Sequence, residues 1–149
     1  MSLVKELGAG LSGLEQLQAL LAAGRRPGIA VSLDFTLAEV GEGFAVFTGT
    51  PGQHAYNPIG MVHGGYAATL LDSACGCAAH TRLTAKQSYT TLELKVAYHK
   101  PIMDSTGPLR AEGRVVTLGR RVAFAEARLV NDAGVLFASA TSTLLIMEQ

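Results

Sequence analysis

His63-Gly64-Gly65-Tyr66-Ala67-Ala68-Thr69-Leu70-Leu71-Asp72-Ser73-Ala74-Cys75-Gly76-Cys77-Ala78-Ala79-His80-Thr81 is the stretch on which the fold turns. Ala67, Ala68, Leu70, Leu71, Ala74, Cys75, Ala78 and Ala79 leave it almost no polar face. A helix that is apolar nearly all round is a buried one. The segments around it read mostly as strands, and an antiparallel sheet can bury a single apolar helix only by wrapping around it. The expected architecture is therefore α+β, a sheet curled about one long helix over about residues 63–81.

Upstream, a loop over 51–61 carries Gly52, Asn57, Pro58 and Gly60. Before it, Val31, Leu33, Phe35 and Leu37 alternate with Ser32, Asp34, Thr36 and Ala38, which predicts a strand from Ile29. Gly41-Glu42-Gly43 turns the chain into a second strand through Phe44, Val46 and Phe47. Earlier still, Ser12-Gly13-Leu14-Glu15 is a capping-box pattern, and Leu14, Leu17, Leu20 and Leu21 follow at helical spacing. That short N-terminal helix is expected to end near Gly24, before Arg25-Arg26-Pro27-Gly28. Downstream, strands are predicted over 89–99, 109–118, 122–131 and 135–147, in a meander with glycine-bearing turns near Gly119 and Gly134. The chain divides into an N-terminal helix and linker over 1–28 and a main domain over 29–149.

Apolar residues make up 48% of the 149 and charged residues 16%, a rich core under a thin polar surface. That balance suggests apolar surface covered by another subunit. Twelve basic and twelve acidic residues cancel, so the field that nucleic-acid binding needs is not expected. Cys75 and Cys77 are two apart and point to different sides of a helix, which argues against a disulfide and fits a reducing, cytoplasmic setting. Lys5, Glu6 and Glu15 interrupt the N-terminal segment, so neither a signal peptide nor a membrane span is expected. His54, His80 and His99 have no metal-ligand spacing, and no metal or cofactor is expected.

Asp72 is the only carboxylate between Gly43 and Leu92, and it stands in the most apolar part of the chain. A lone carboxylate there costs several kcal/mol unless paired, which points to a base or nucleophile in a poorly solvated site. At the helix start, Gly64-Gly65 leaves backbone N–H groups uncovered at the positive end of the dipole, where they suit a carbonyl oxygen gaining negative charge. Asp72 lies eight residues beyond Gly64, about 12 Å along the axis. One reacting carbon cannot touch both. Two such helices, antiparallel across a two-fold axis, can pair the donor end of one with the Asp of the other.

The runs Asn57-Pro58-Ile59-Gly60-Met61-Val62-His63-Gly64-Gly65 and Thr69-Leu70-Leu71-Asp72 resemble the signature of hot-dog-fold acyl-CoA thioesterases of the phenylacetate-degradation (PaaI-like) type. So do Thr91-Leu92-Glu93-Leu94-Lys95-Val96, Gly113-Arg114-Val115-Val116 and Gly119-Arg120-Arg121-Val122-Ala123, and the resemblance spans roughly 29–146. It implies a homodimer with shared sites that pairs into tetramers, and an acyl-CoA substrate. It assigns the Gly64 N–H to the thioester carbonyl, with His63 supporting the helix start or the thioester. Asp72 of the facing subunit becomes the water-activating or attacking carboxylate. Asn57 and Thr91 become polar positioners, with Thr90 a near neighbour. Where some relatives carry a hydroxyl one turn past the carboxylate, this chain has Gly76, so that contact is missing or comes from Ser73. Gly65 and Tyr66 are expected to meet the substrate, and Arg120 and Arg121 are either a solvated hairpin turn or phosphate contacts for coenzyme A. The rival from another class is a hot-dog module that binds acyl-CoA without turnover. Acyl size is left to pocket depth, for which Tyr66, Leu70, Phe44 and Phe47 are the candidates.

Overall fold

Residues 2–149 are described by a computed structural model, and their order begins with helices. α1 (Leu3–Gly8) is followed by α2 (Gly13–Ala23), α3 (Gly28–Leu33), β1 (Phe35–Gly41), β2 (Phe44–Gly49), α4 (Gly64–His80), β3 (Gln87–Tyr98), β4 (Leu109–Leu118), β5 (Val122–Asn131) and β6 (Leu136–Glu148). The six strands form one antiparallel sheet in the order β1-β2-β4-β5-β6-β3. α4 lies across its concave face, packed on β2, β4 and β5 and reaching β3 and β6. Leu70, Leu71, Ala74, Cys75, Ala78 and Ala79 are fully buried, as an all-apolar helix requires. Contact is close enough that a side-chain carbon on Gly113 of β4 would lie 2.3 Å from the Ala74 carbonyl oxygen. This is the hot-dog fold.

α4 is held at both ends by its own caps. His63 is the N-cap, and its Nδ1 accepts from Gly65 N–H at 2.8 Å. At the other end Thr81 donates its hydroxyl to Ala78 O (2.7 Å) and accepts from Gly43 N–H (2.8 Å), tying the helix to the β1–β2 turn.

The chain departs from the sequence expectations in three places. Residues 28–33 form a short helix, not the start of a strand. Pro27 sets its entry and Asp34 ends it in the left-handed region (φ 56°), where a short polar side chain is tolerated. The expected boundary at 28/29 thus falls at the first turn of α3. A further helix, α1, precedes the capping-box helix. Finally, the four last strands are not one meander: β4-β5-β6 is, but β3 leaves α4 at the far edge and, among the described residues, pairs only with β6. No helix among the described residues is long and apolar enough to cross a membrane.

Candidate active site

Asp72 is half-buried on α4, and the Thr91 hydroxyl of β3 donates to its Oδ1 at 3.0 Å. Thr91, not Thr90, makes this contact, because side chains alternate along a strand and only one of the two can face the helix. Asp72 and Thr91 open onto a cavity of about 1010 Å³, shared with Cys77, His80 and Tyr89. Ser73, by contrast, spends its hydroxyl on Thr69 O (2.7 Å) in its own helix.

The place of the missing hydroxyl one turn past Asp72 is filled from another element. A side-chain carbon on Gly76 would lie 2.4 Å from the Tyr89 hydroxyl and 2.8 Å from its ring. Glycine there lets the phenol approach α4 closely, in edge contact with His80 at 5.9 Å between centroids. Burial, reinforced by nearby Cys77, Asp72 and Cys75, holds the Tyr89 hydroxyl well above the usual phenol range, so it stays protonated. Cys77 is likewise pushed up to about 12, by burial first and then by Asp72. Protonated thiols are poor nucleophiles. Among the described residues, no group of three or more His, Cys, Asp and Glu side chains is placed to hold a metal ion.

The other half of the expected site lies at the start of α4. His63 Nδ1 takes the Gly65 N–H and His63 O takes the Tyr66 N–H, while the Gly64 N–H has no protein acceptor among the described residues. The Tyr98 hydroxyl donates to Gly64 O at 2.6 Å and its ring covers the glycine. Asn57 organises the loop leading here, its Oδ1 accepting from Ile59 N–H (3.1 Å) and Met61 N–H (3.2 Å). Within one chain the two halves stay apart, eight residues along an unbroken helix.

Arg120 and Arg121 are exposed in the β4–β5 turn. Val122 pairs with Leu145, and Leu145 pairs with Thr90, so this turn lies at the same end of the sheet as Thr91 and Asp72. Tyr66 lies elsewhere: it is 2% exposed, its hydroxyl is buried near Gly49 without a partner among the described residues, and it does not line the cavity. Leu70 and Phe47 are also core residues, and Phe44 is exposed. Sequence reasoning missed Tyr89. Its signal was Gly76, a glycine in mid-helix with no turn to explain it.

Residues 59–138 match the family model described as the thioesterase superfamily. The chain belongs to that superfamily. The matched segment contains His63, Gly64, Asp72, Thr91, Arg120 and Arg121, but not the N-terminal helices. A candidate esterase of Halobacterium salinarum is 40% identical over 76 residues, 50% of this chain and 48% of that protein, so the match spans about half of the relative's length. Among solved structures, a phenylacetic acid degradation-related protein of Ralstonia eutropha is 27% identical with a TM-score of 0.75, over 85% of this chain and 97% of its own. The PaaI protein of the Escherichia coli phenylacetic acid degradation operon has a TM-score of 0.76 at 21% identity, covering 88% of this chain and 92% of that one. The chain is PaaI-like in fold.

Proposed function

We propose that the protein hydrolyses acyl-CoA thioesters at sites shared between two subunits. The observation that carries this is the division of labour along α4: a Gly64 N–H without a protein acceptor at one end, and Asp72 opening on a cavity further along. β3 supplies the means of joining them. It is a twelve-residue edge strand with no buried residue, and among the described residues it is paired on one side only. Along it Thr91 touches Asp72 and Tyr98 touches Gly64. A two-fold axis between Leu94 and Lys95, pairing β3 with its copy, sets Thr91 opposite Tyr98 of the partner subunit. The Asp72 end of one α4 then faces the Gly64 end of the other.

In this arrangement the thioester carbonyl oxygen accepts from the Gly64 N–H. Asp72 takes a proton from water while the water oxygen attacks the carbonyl carbon. The oxyanion is stabilised by the glycine amide, a contribution typically about 10²–10³ in rate. Collapse breaks the carbon–sulfur bond, the thiolate recovers the proton, and a carboxylic acid and free CoA leave. Direct attack by Asp72, giving an anhydride that water then opens, uses the same residues. Thr91 aligns the carboxylate, Asn57 shapes the loop that carries His63, and Arg120 and Arg121 meet the CoA phosphates. Residues 29–149 form the catalytic domain. Exposed Val116, Phe124 and Phe44 on the outer sheet support pairing of dimers into tetramers, and two free cysteines support a cytoplasmic setting.

The test is thiol release from a panel of acyl-CoA substrates with native protein and Asp72→Asn. Release that falls by two orders of magnitude or more in the variant supports the reading. Undiminished release in the variant removes Asp72 from its role. Tight binding without release from any substrate favours the binding module.

A further inference from the structure

The cavity beside Asp72 has a wall that the hydrolytic chemistry does not require. Leu3 and Val4 of α1, and Leu17 and Leu20 of α2, line it together with Asp72 and Thr91. These two helices form a cap docked on the C-terminal end of α4. Gly13 is pressed so closely there that a side-chain carbon would lie 1.8 Å from the His80 carbonyl oxygen, and its N–H donates to Leu83 O at 2.9 Å. Gln16, buried, meets His80 Nε2 through its Oε1 (2.8 Å) and donates to Gly8 O (3.4 Å), so one side chain links α4, α2 and α1. The Ser12–Glu15 capping box fixes where α2 begins.

A cap built this deliberately still leaves Leu3, Val4 and Leu20 only half-buried where they face the cavity. Uncovered aliphatic surface beside a catalytic carboxylate is surface that an apolar substrate group would desolvate. Among the described residues no unpaired cation is buried with it: Lys5 is exposed, and Arg26 is bonded to Asp34 at 3.0 Å. The volume of about 1010 Å³ is at the top of the range of roughly 300–1,000 Å³ found for drug-sized ligands, far beyond what an acetyl group fills. The cap also lies outside the residues 59–138 that match the superfamily, so the catalytic elements and this wall are separate parts of the chain.

We propose that α1 and α2 are the specificity-determining wall of the acyl pocket, and that the pocket takes a medium-chain or larger apolar acyl group. This rests on the reading of Asp72 as the hydrolytic carboxylate. Each methylene that enters the pocket raises kcat/KM about fourfold until the wall is reached. The experiment compares butyryl-CoA with decanoyl-CoA for native protein, Leu20→Trp and Val4→Trp, one variant on each helix. Thiol release gives the ratio of kcat/KM, and calorimetric titration of both compounds into the same proteins carrying Asp72→Asn gives the ratio of Kd. Native protein prefers the decanoyl compound, and each tryptophan lowers that preference at least tenfold in both ratios. Ratios unmoved in folded, active variants overturn the proposal and leave the hydrolytic reading intact. If thiol release is absent from native protein, the hydrolytic reading fails, and the Kd ratios alone decide whether the cap bounds an acyl site.

Discussion

Replacing Gly76 by alanine sets two effects of similar size against each other. An added carbon would stand 2.4 Å from the Tyr89 hydroxyl, 2.8 Å from Cζ and 2.9 Å from Cε2. Carbon contacts are comfortable at about 3.5–4.0 Å, so the ring must retreat by roughly 1 Å. Its edge contact with His80 limits that retreat on one side, and the Asp72 cavity is the space open to it. Such overpacking costs about 1–3 kcal/mol. Against this, alanine in a helix interior gains about 1 kcal/mol over glycine. The net loss is about 0–2 kcal/mol in the native background, too narrow a margin to judge by stability alone. A double-mutant cycle separates the terms. In a Tyr89→Ala background the clash is gone, and Gly76→Ala stabilises by about 1 kcal/mol, a rise in Tm of about 2–4 °C for a chain of this length. Tyr89→Phe gives only partial relief, because the ring carbons stay. Thermal unfolding of the four proteins reads the coupling, and thiol release reads its consequence, since a displaced Tyr89 intrudes on the Asp72 cavity. The same sign of effect in both backgrounds would refute the close seating of Tyr89 on α4 and its place in the site.

Thr91→Val keeps the shape of the side chain and removes the donor to Asp72 Oδ1. A hydrogen bond to a charged group is worth about 1.5–3 kcal/mol, so kcat falls about 10–100-fold with little change in KM, while Thr91→Ser retains most of the rate. Equal rates for Val and native protein would contradict it. His80 is held below the usual histidine range by burial, so the unfolded chain binds the proton first as pH falls. Stability is therefore full above the unfolded pKa of about 6.5 and declines below it, at no more than about 1.4 kcal/mol per pH unit. Neighbouring Cys77 and Tyr89 are pushed high and stay neutral in that window. Thermal unfolding between pH 5 and 8 shows a steeper decline for native protein than for His80→Gln; parallel curves would contradict this. Removing Arg120 and Arg121 together raises KM for an acyl-CoA by about two- to tenfold, an effect that shrinks with added salt and is absent for a thioester lacking the nucleotide.

The central helix was legible because residues 67–79 carry one chemistry on every face, and contrast with that background also picked out Asp72. β4 and β5 were legible to the residue from alternation bounded by turns. α3 was not, since six residues span under two turns and Val31, Leu33 and Phe35 happen to alternate. The order of strands was also hidden. Alternation states which residues share a face, but the edge at which β3 emerges depends on how α4 crosses the sheet. Tyr89 read as an ordinary strand aromatic for the same reason, its role arising only where β3 meets Gly76. The place where α1 and α2 dock was hidden because it depends on the close seating of Gly13 and Gln16 on the end of α4 and on the packing of α2 against β1.

In the proposed dimer, Gly64 of one subunit and Asp72 of the other make one site. Gly64→Pro removes the N–H at a first helical position, where proline is accommodated, and His63 already has the extended backbone (ψ 136°) that a following proline needs. Tyr98, over the glycine, must yield slightly. Alone, Gly64→Pro and Asp72→Asn each abolish both sites of their dimers. Mixed in equal amounts with subunit exchange verified by labelled protomers, they form hybrids in which one site of two is intact, and thiol release recovers to about a quarter of the native rate. No recovery under verified exchange would contradict the shared site.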